Sequence, residues 1–308
     1  MLRNLLASAI VTCAATYSGL ASAEAGWSPE MRNAAQAWDS FLGKYVNAKG
    51  GVDYQAIVGG SGFDELKQLL GSYATMDPTA LSDSAKNALY INFYNAGMIH
   101  NIIVWANAEK VDIKSDKFLK QAVNKIKAPG GNIWNGQWKF KIKGINVHLD
   151  EIEHGLIRGL ATGELGKLKV KELDPRIHAA VNCAAYSCPR TREKAYRPEN
   201  VDAMLNENMF EWLNMPAQFA KLSDSKMKCN QIVFWYYSDF DDVARQKLKL
   251  KGAGDYLEKF IKAETPNAEW MKSHLKNNFN DRNVVSLKIS SAFEFFYDWR
   301  IADARSMK

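Results

Sequence analysis

Residues 87–108 constrain this fold more than any other segment, because they include no Lys, Arg, Asp or Glu and yet carry Asn87, Asn92, Asn95, His100 and Asn101. A segment this apolar must leave water, but amides and an imidazole are costly in hydrocarbon. It therefore reads as a helix buried in protein rather than in lipid. Ser82 begins the helix, which is predicted to run to about Ala106 with Leu89, Phe93, Ala96, Ile99, Ile103 and Val104 at helical spacing. Tyr90, Asn92, Tyr94, Asn95 and His100 interrupt that surface. Buried amides and phenols need partners, so the helix should face either a polar site or the backbone of a neighbouring segment. Tyr90, Asn92 and Asn95 are candidate binding residues on this ground.

The first residues bear on the compartment. Arg3, an apolar run over 5–20 and Ala21-Ser22-Ala23 before Glu24 read as a secretory signal peptide over 1–23. Thr12 is bulkier than the small residue expected before a lipoprotein cysteine at Cys13, so a soluble periplasmic or secreted protein is expected, with no integral membrane span after signal removal. Residues 24–308 read as a single globular domain, since no long Pro, Gly or Ser stretch divides them. A composition of 47% hydrophobic and 24% charged residues suits an ordinary core. The net charge of +6 becomes +5 once Arg3 leaves with the signal peptide. Lys114, Lys117, Lys120, Lys125 and Lys127 are the densest basic group, but Asp112 and Asp116 interrupt them, as on a solvated face. A nucleic-acid partner is not expected.

Chemistry is concentrated at 174–189, Asp-Pro-Arg-Ile-His-Ala-Ala-Val-Asn-Cys-Ala-Ala-Tyr-Ser-Cys-Pro. Cysteine and histidine most readily supply a nucleophile, base or soft metal ligand near neutral pH. Residues 176–183 read as a strand, which places Arg176, His178 and Asn182 on one face and Cys183 on the other. On that geometry His178 and Cys183 do not touch, and His154 becomes the natural base for Cys183. The spacing of Cys183 and Cys188 also allows a disulfide, which an oxidising compartment favours. Cys229 offers Cys188 another partner. No cofactor is predicted. His154, His178, Cys183 and Cys188 would satisfy the tetrahedral N/S preference of zinc, although C-x4-C is looser than the usual structural zinc spacing.

Upstream, 27–73 reads as helical with breaks at Lys49-Gly50-Gly51 and at 59–62, and 138–147 alternates across Lys143-Gly144 as a hairpin. Asp150 and Glu153 form a capping-box pattern at a following helix. His154 in its first turn is held away from the cationic form by the helix dipole. No His-Glu-x-x-His, Walker A loop or Gly-x-Ser-x-Gly elbow occurs.

Four stretches in matching order carry a family resemblance. Tyr90-Ile-Asn-Phe-Tyr-Asn95, then Leu149-Asp-Glu-Ile-Glu-His154 with Arg158, then 174–189, then Trp235-Tyr236 with Asp239-Phe240 together resemble the domain-of-unknown-function 547 family. The resemblance is strong over about 82–214, leaving 215–308 as a C-terminal extension. Tyr297-Asp298-Trp299 looks like the family's closing element. Cys229 departs from the pattern, which makes its pairing with a motif cysteine less attractive. The resemblance implies that these residues form one site, in a family with exported bacterial members, and it implies no particular reaction.

Two function classes follow. One is a thiol-dependent hydrolase or acyl transferase with Cys183 as nucleophile, His154 or His178 as base, and Asn182, Asn92 or Asn95 orienting the imidazole or stabilising an oxyanion. The other is a non-catalytic envelope binding or scaffold module with a Cys183–Cys188 bridge. Glu153, Arg158, Arg176, Ser187 and Cys188 complete the candidate binding set, for a small molecule, peptide or envelope component. The predicted architecture is α+β and mainly helical, with a buried polar central helix. A small antiparallel sheet is expected from 138–148, 176–183, 231–237 and 284–298, with C-terminal helices at 254–264 and 267–277 as a cap.

Overall fold

Every side of the uncharged helix meets protein in the structure, a computed structural model that describes residues 26–281 and 291–307. Segment 1–23, where a signal peptide was expected, lies outside the described residues. Helices α1 (Pro29–Tyr45), α2 (Tyr54–Gly59) and α3 (Gly62–Ser72) break at the predicted glycines, and α4 (Asp83–Ala108) is the central helix. The Ser82 hydroxyl caps α4 by accepting from the Ala85 N–H at 3.2 Å. The helix is buried from Ala85 to Ile99 and almost entirely beyond, as an all-round apolar helix must be.

Four polar side chains on α4 hold different loops, while the Asn87 side-chain oxygen is buried without a partner among the described residues and His100 meets Asn101 on the same helix. Asn92 donates to Tyr196 O at 2.8 Å and accepts from Tyr196 N at 2.9 Å. Asn95 donates to Ala180 O at 3.0 Å and accepts from Asn182 N at 2.8 Å. Tyr90 donates to Leu168 O at 2.6 Å, and Asn101 to Ile133 O at 3.0 Å. The expectation of backbone partners for buried amides and phenols describes these three amides and the Tyr90 phenol. Gly97 matters for a different reason: a Cβ there would lie 2.9 Å from both Leu149 and Phe140, so its hydrogen lets neighbouring segments close onto α4.

After α5 (Asp116–Lys120) come two antiparallel pairs, β1 (Lys127–Ala128) with β2 (Gly131–Asn132), and β3 (Phe140–Ile142) with β4 (Ile145–Val147). The second is the predicted hairpin, turned by Lys143 and Gly144 at φ 47° and 74°. Glu151–Ile157 then forms a π-helix, followed by α6 (Gly163–Gly166), a 3₁₀ turn at Pro175–Ala179 and α7 (Val201–Leu213). The C-terminal part contains β5 (Ala220–Lys221), β6 (Met227–Asn230), α8 (Gln231–Trp235), α9 (Tyr237–Asp242), α10 (Ala253–Leu257), α11 (Ala268–Phe279) and β7 (Phe293–Phe296).

The fold is mainly helical α+β, but the sheet differs from expectation. Residues 176–183 are not a strand. The Asp174 carboxylate caps Arg176 N, Pro175 sets the first turn, and Asn95 takes the backbone groups that a ladder would use. Likewise 231–237 is helical because the Asn230 side chain caps Ile232 N at 2.9 Å, and the strand ends one residue earlier. Within 284–298 the strand is Phe293–Phe296, while 284–290 lie outside the described residues. The strands form separate small sheets rather than one, and β6 pairs with β7 in parallel while β5 pairs with β6 antiparallel. The C-terminal helices fall close to where they were expected.

Two hydrophobic cores result, one around α4 and one joining α7 to β6, β7 and α8–α11. The chain beyond β7 then returns across the first core. Ser187 N donates to Asp298 O, Tyr186 N to Arg300 O, Ile301 N to Gln121 O and Ala302 N to Ala184 O, at 2.8–3.1 Å.

Replacing Asn95 by Ala strands a buried carbonyl and a buried N–H, so a loss of about 2–4 kcal/mol is expected in urea unfolding. Asn95→Asp should fail to rescue it, because a carboxylate repels Ala180 O. Gly97→Val should cost about 1–3 kcal/mol through overpacking against Leu149 and Phe140.

Candidate functional site

Between the two cores lies a cavity of about 230 Å³. The π-helix contributes Glu153 and His154 and, at its end, Arg158, whose N–H closes onto Glu153 O. The wide turn is the local reason that these three polar groups sit side by side, and such turns recur at functional sites. This corrects the capping-box expectation: Asp150 makes no side-chain cap, and Glu153 instead accepts a short hydrogen bond from the Tyr236 hydroxyl. Glu153 also lies beside the Tyr94 phenol, where burial first and this carboxylate second hold Tyr94 protonated.

His178 is fully buried, and its imidazole stacks on Tyr236 with ring centres 3.7 Å apart. Its Nε2 lies 2.8 Å from Asp239 Oδ2. Asp239 is clamped on its other side by Arg158, with Nε at 2.7 Å and Nη2 at 2.9 Å. Burial alone would raise the Asp239 carboxyl, but the hydrogen bonds of His178 and Arg158 outweigh it and bring the pKa to about 2. An ionised carboxylate can only accept, so the ring proton of His178 is on Nε2. Burial pushes His178 below the usual histidine range against the pull of Asp239, which leaves Nδ1 as a lone pair. That Nδ1 is buried and has no hydrogen-bond partner.

The loop after the 3₁₀ turn brings the cysteines to the same cavity. Cys183 and Cys188 are joined as a disulfide with Cα atoms 6.4 Å apart, within the range a bridge requires. Each sulfur lies 3.0 Å from the Tyr297 hydroxyl. Cys183 is half-buried and Cys188 buried, so Cys183 is the more accessible sulfur. His178 and Cys183, set apart by the strand reading, therefore line one cavity. Cys229 is a free buried thiol whose pKa burial raises, and it does not pair with Cys188.

The remaining candidates divide clearly. His154 lines the cavity, and because a guanidinium only donates, the 3.2 Å contact from Arg158 Nη1 makes His154 Nδ1 an acceptor. Asn182 is turned to the loop itself, donating to Pro189 O and accepting from Ala184 N, both at 2.6 Å. Ala184 adopts φ 60°, a left-handed conformation costing roughly 1 kcal/mol for a residue with a Cβ, and this bond holds it there. Ser187 Oγ accepts from Asp298 N at 2.8 Å. Tyr90, Asn92, Asn95, Asn182 and Ser187 are thus ties around the cavity rather than its lining. Arg176 pairs with Asp174 and Asp202 on a separate cleft of about 540 Å³, where Lys247 is matched by Glu172. That cleft is larger, and Lys259 lines it without an ion pair among the described residues, but the His–Cys chemistry is elsewhere.

Residues that the sequence reading did not assign to the site complete it. Asp239 and Tyr236 come from α9 and the residue before it, Asp150 and Trp134 from the segments flanking the hairpin, Trp235 from α8, and Tyr297 and Trp299 from the returning tail. Trp235-Tyr236, Asp239 and Tyr297-Asp298-Trp299 belong to the stretches that carried the family resemblance, which was the available signal.

Residues 78–213 match the family described as "Protein of unknown function, DUF547". That segment belongs to the DUF547 family. No curated protein and no solved structure matches the chain. The matched segment supplies Glu153, His154, Arg158, His178 and both bridged cysteines, whereas Asp239, Tyr236, Tyr297 and Trp299 lie beyond it. Among the described residues no group of three or more His, Cys, Asp or Glu is arranged to hold a metal ion. The Cys/His zinc set fits poorly, because the two sulfurs are joined to each other and His178 Nε2 is held by Asp239. No helix among the described residues is long and apolar enough to cross a membrane.

Asp239→Asn should destabilise the fold by about 3 kcal/mol, since it leaves the Arg158 guanidinium without its counter-charge. The pH dependence follows from the two depressed pKa values. The unfolded chain takes up a proton near pH 6.5 that His178 refuses, so stability should fall as pH drops below that value. It should fall again between about pH 4 and 2, as Asp239 is protonated. Urea titrations of the wild type and Asp239→Asn across pH 3–7 should show the lower window weakened in the variant.

Proposed function

We propose that this protein is an exported, periplasmic or secreted, thiol-dependent acyl-transfer enzyme, a hydrolase or acyl transferase, in which Cys183 is the nucleophile and His178 the base. The observation that carries the reading is His178: Asp239 fixes one ring nitrogen, the other is buried without a hydrogen-bond partner among the described residues, and His178 and Cys183 line the same cavity. A base oriented by a carboxylate beside a sulfur is the recurring arrangement of such enzymes, by geometry rather than by residue order.

The bridged form requires a dithiol reductant, which becomes oxidised as the Cys183–Cys188 bond breaks to two thiols. Cys183 then passes its proton to His178 Nδ1 and its sulfur attacks the acyl carbonyl. The imidazolium returns the proton to the departing alcohol, thiol or amine as a thioester forms. Water or a second acceptor releases the acyl group. Tyr297, kept protonated chiefly by burial and 3.0 Å from the Cys183 sulfur, is the donor available to developing negative charge.

A second reading has its own support. The bridge, backed by the Cys183 N–H donating to Cys188 Sγ at 3.0 Å, also suits a binding module with a stapled loop. The two separate on one experiment. Wild-type protein, Cys183→Ala and His178→Ala are reduced and offered an activated thioester, with mass spectrometry for an acyl adduct. An adduct on Cys183, with turnover lowered about 100-fold or more in His178→Ala, is expected of the enzyme. A fully reduced protein that forms no adduct would leave the binding module standing.

A further inference from the structure

The ionisable lining of the central cavity is one-sided. Asp150 and Glu153 face it together with His154 and His178, and no Lys or Arg is among the lining residues, in a chain whose net charge is +6. Arg158 stands nearby, but its guanidinium is spent on Asp239 and on one face of Tyr236, 5.1 Å from the ring centre. His178 also stacks on Tyr236, with ring centres 3.7 Å apart. The remaining rings form a wall. Trp299 packs against Tyr297 at 4.4 Å, Trp235 at 5.4 Å and Trp134 at 6.1 Å. Trp235 keeps 39% of its surface exposed at the mouth. Aromatic faces attract cations, the more so where water is excluded, and carboxylates at the same point add to that field.

We infer that this cavity is a subsite for a primary ammonium group on a short alkyl stem, held by Asp150 and the Trp134, Trp235 and Trp299 faces. At about 230 Å³ it is smaller than the roughly 300–1,000 Å³ of sites that engulf a whole drug-sized ligand. It takes a side chain or a terminal group. The inference deepens the acyl-transfer reading, on which it rests for its meaning: the amine end of the substrate is what the cavity selects. Glu153 is already occupied by the Tyr236 hydroxyl, so Asp150, a third exposed, hydrogen-bonded by Asn135 and 4.0 Å from His154, is the carboxylate better placed to meet the ammonium.

Binding is measured by calorimetry on the oxidised wild-type protein, in which Cys183 is bridged and cannot acylate, so the result does not depend on catalysis. The probes are n-butylammonium, n-butanol and butyrate. The ammonium should bind at least about 10-fold more tightly than the alcohol, with butyrate weakest. Asp150→Asn should abolish most of that preference, and Trp235→Leu, at the exposed rim, should weaken it without affecting the fold. Equal binding of the alcohol, tighter binding of butyrate, or an unchanged preference in Asp150→Asn overturns the inference. Nα-acetyl-lysine amide and phosphoethanolamine then distinguish a peptide side chain from a headgroup as the source of the ammonium; if neither binds, the inference fails. Ammonium selectivity without a Cys183 adduct in the reduced protein would sink the enzyme and leave the subsite, and the converse would do the opposite.

Discussion

The pairing of the Asn92 and Asn95 amides with loop backbone is the interaction on which the site most depends. A side-chain amide presents a donor and an acceptor side by side, the pattern that one strand offers another. Asn95 uses both on Ala180 and Asn182, and Asn92 uses both on Tyr196. Each pair satisfies four polar groups at once in a place where leaving them unmade is expensive. The loop with His178 and Cys183 therefore needs no neighbouring strand. It is free to follow an irregular path, and that path carries both residues to one cavity.

Several local features were legible because their causes are local. Uncharged composition with interspersed amides identified α4 and the kind of partner it needed. The Lys143-Gly144 turn and the glycines before α2 and α3 marked their own boundaries. The misreadings share a cause of another kind. Residues 176–183 alternate like a strand, yet a cap from Asp174 and a tertiary bond from Asn95 decide their conformation. Residues 231–237 are apolar and β-branched enough for a strand, but one side chain, Asn230, starts a helix. Periodicity records which face is buried and not which group has claimed the backbone hydrogen bonds.

The site was half legible for a related reason. Cysteine and histidine attract attention by chemistry alone, and Glu153, His154 and Arg158 fall within one short motif. Asp239 lies 61 residues beyond His178 in sequence. Its neighbours Trp235-Tyr236 and Phe240 mark it by family resemblance, but spacing and periodicity give no sign of its partner. Its role comes from the meeting of the two cores, with His178 and Arg158 on one side and α9 on the other. The tail acts similarly: by returning over the first core it delivers Tyr297 and Trp299 to the cysteines. A region that resembles a C-terminal extension by sequence is thus part of the cavity wall.

That same tail bears on what the Cys183–Cys188 bridge is for. Chain-entropy arguments give a bridge closing so short a loop about 2 kcal/mol, at the lower end of what disulfides contribute. The loop is meanwhile tied by other means. Asp298, Arg300 and Ala302 bond its backbone at Ser187, Tyr186 and Ala184, Asn230 donates to Ser187 O at 2.8 Å, and Asn182 spans its base to Pro189. With so many independent ties, opening the sulfur–sulfur bond removes a small part of what holds the loop. A bridge that was needed for folding would be expected where the chain is otherwise loose. Here it sits on a loop already fixed, facing a cavity that His178 also lines, which is where a bond that opens and closes can do so without loss of the surrounding structure.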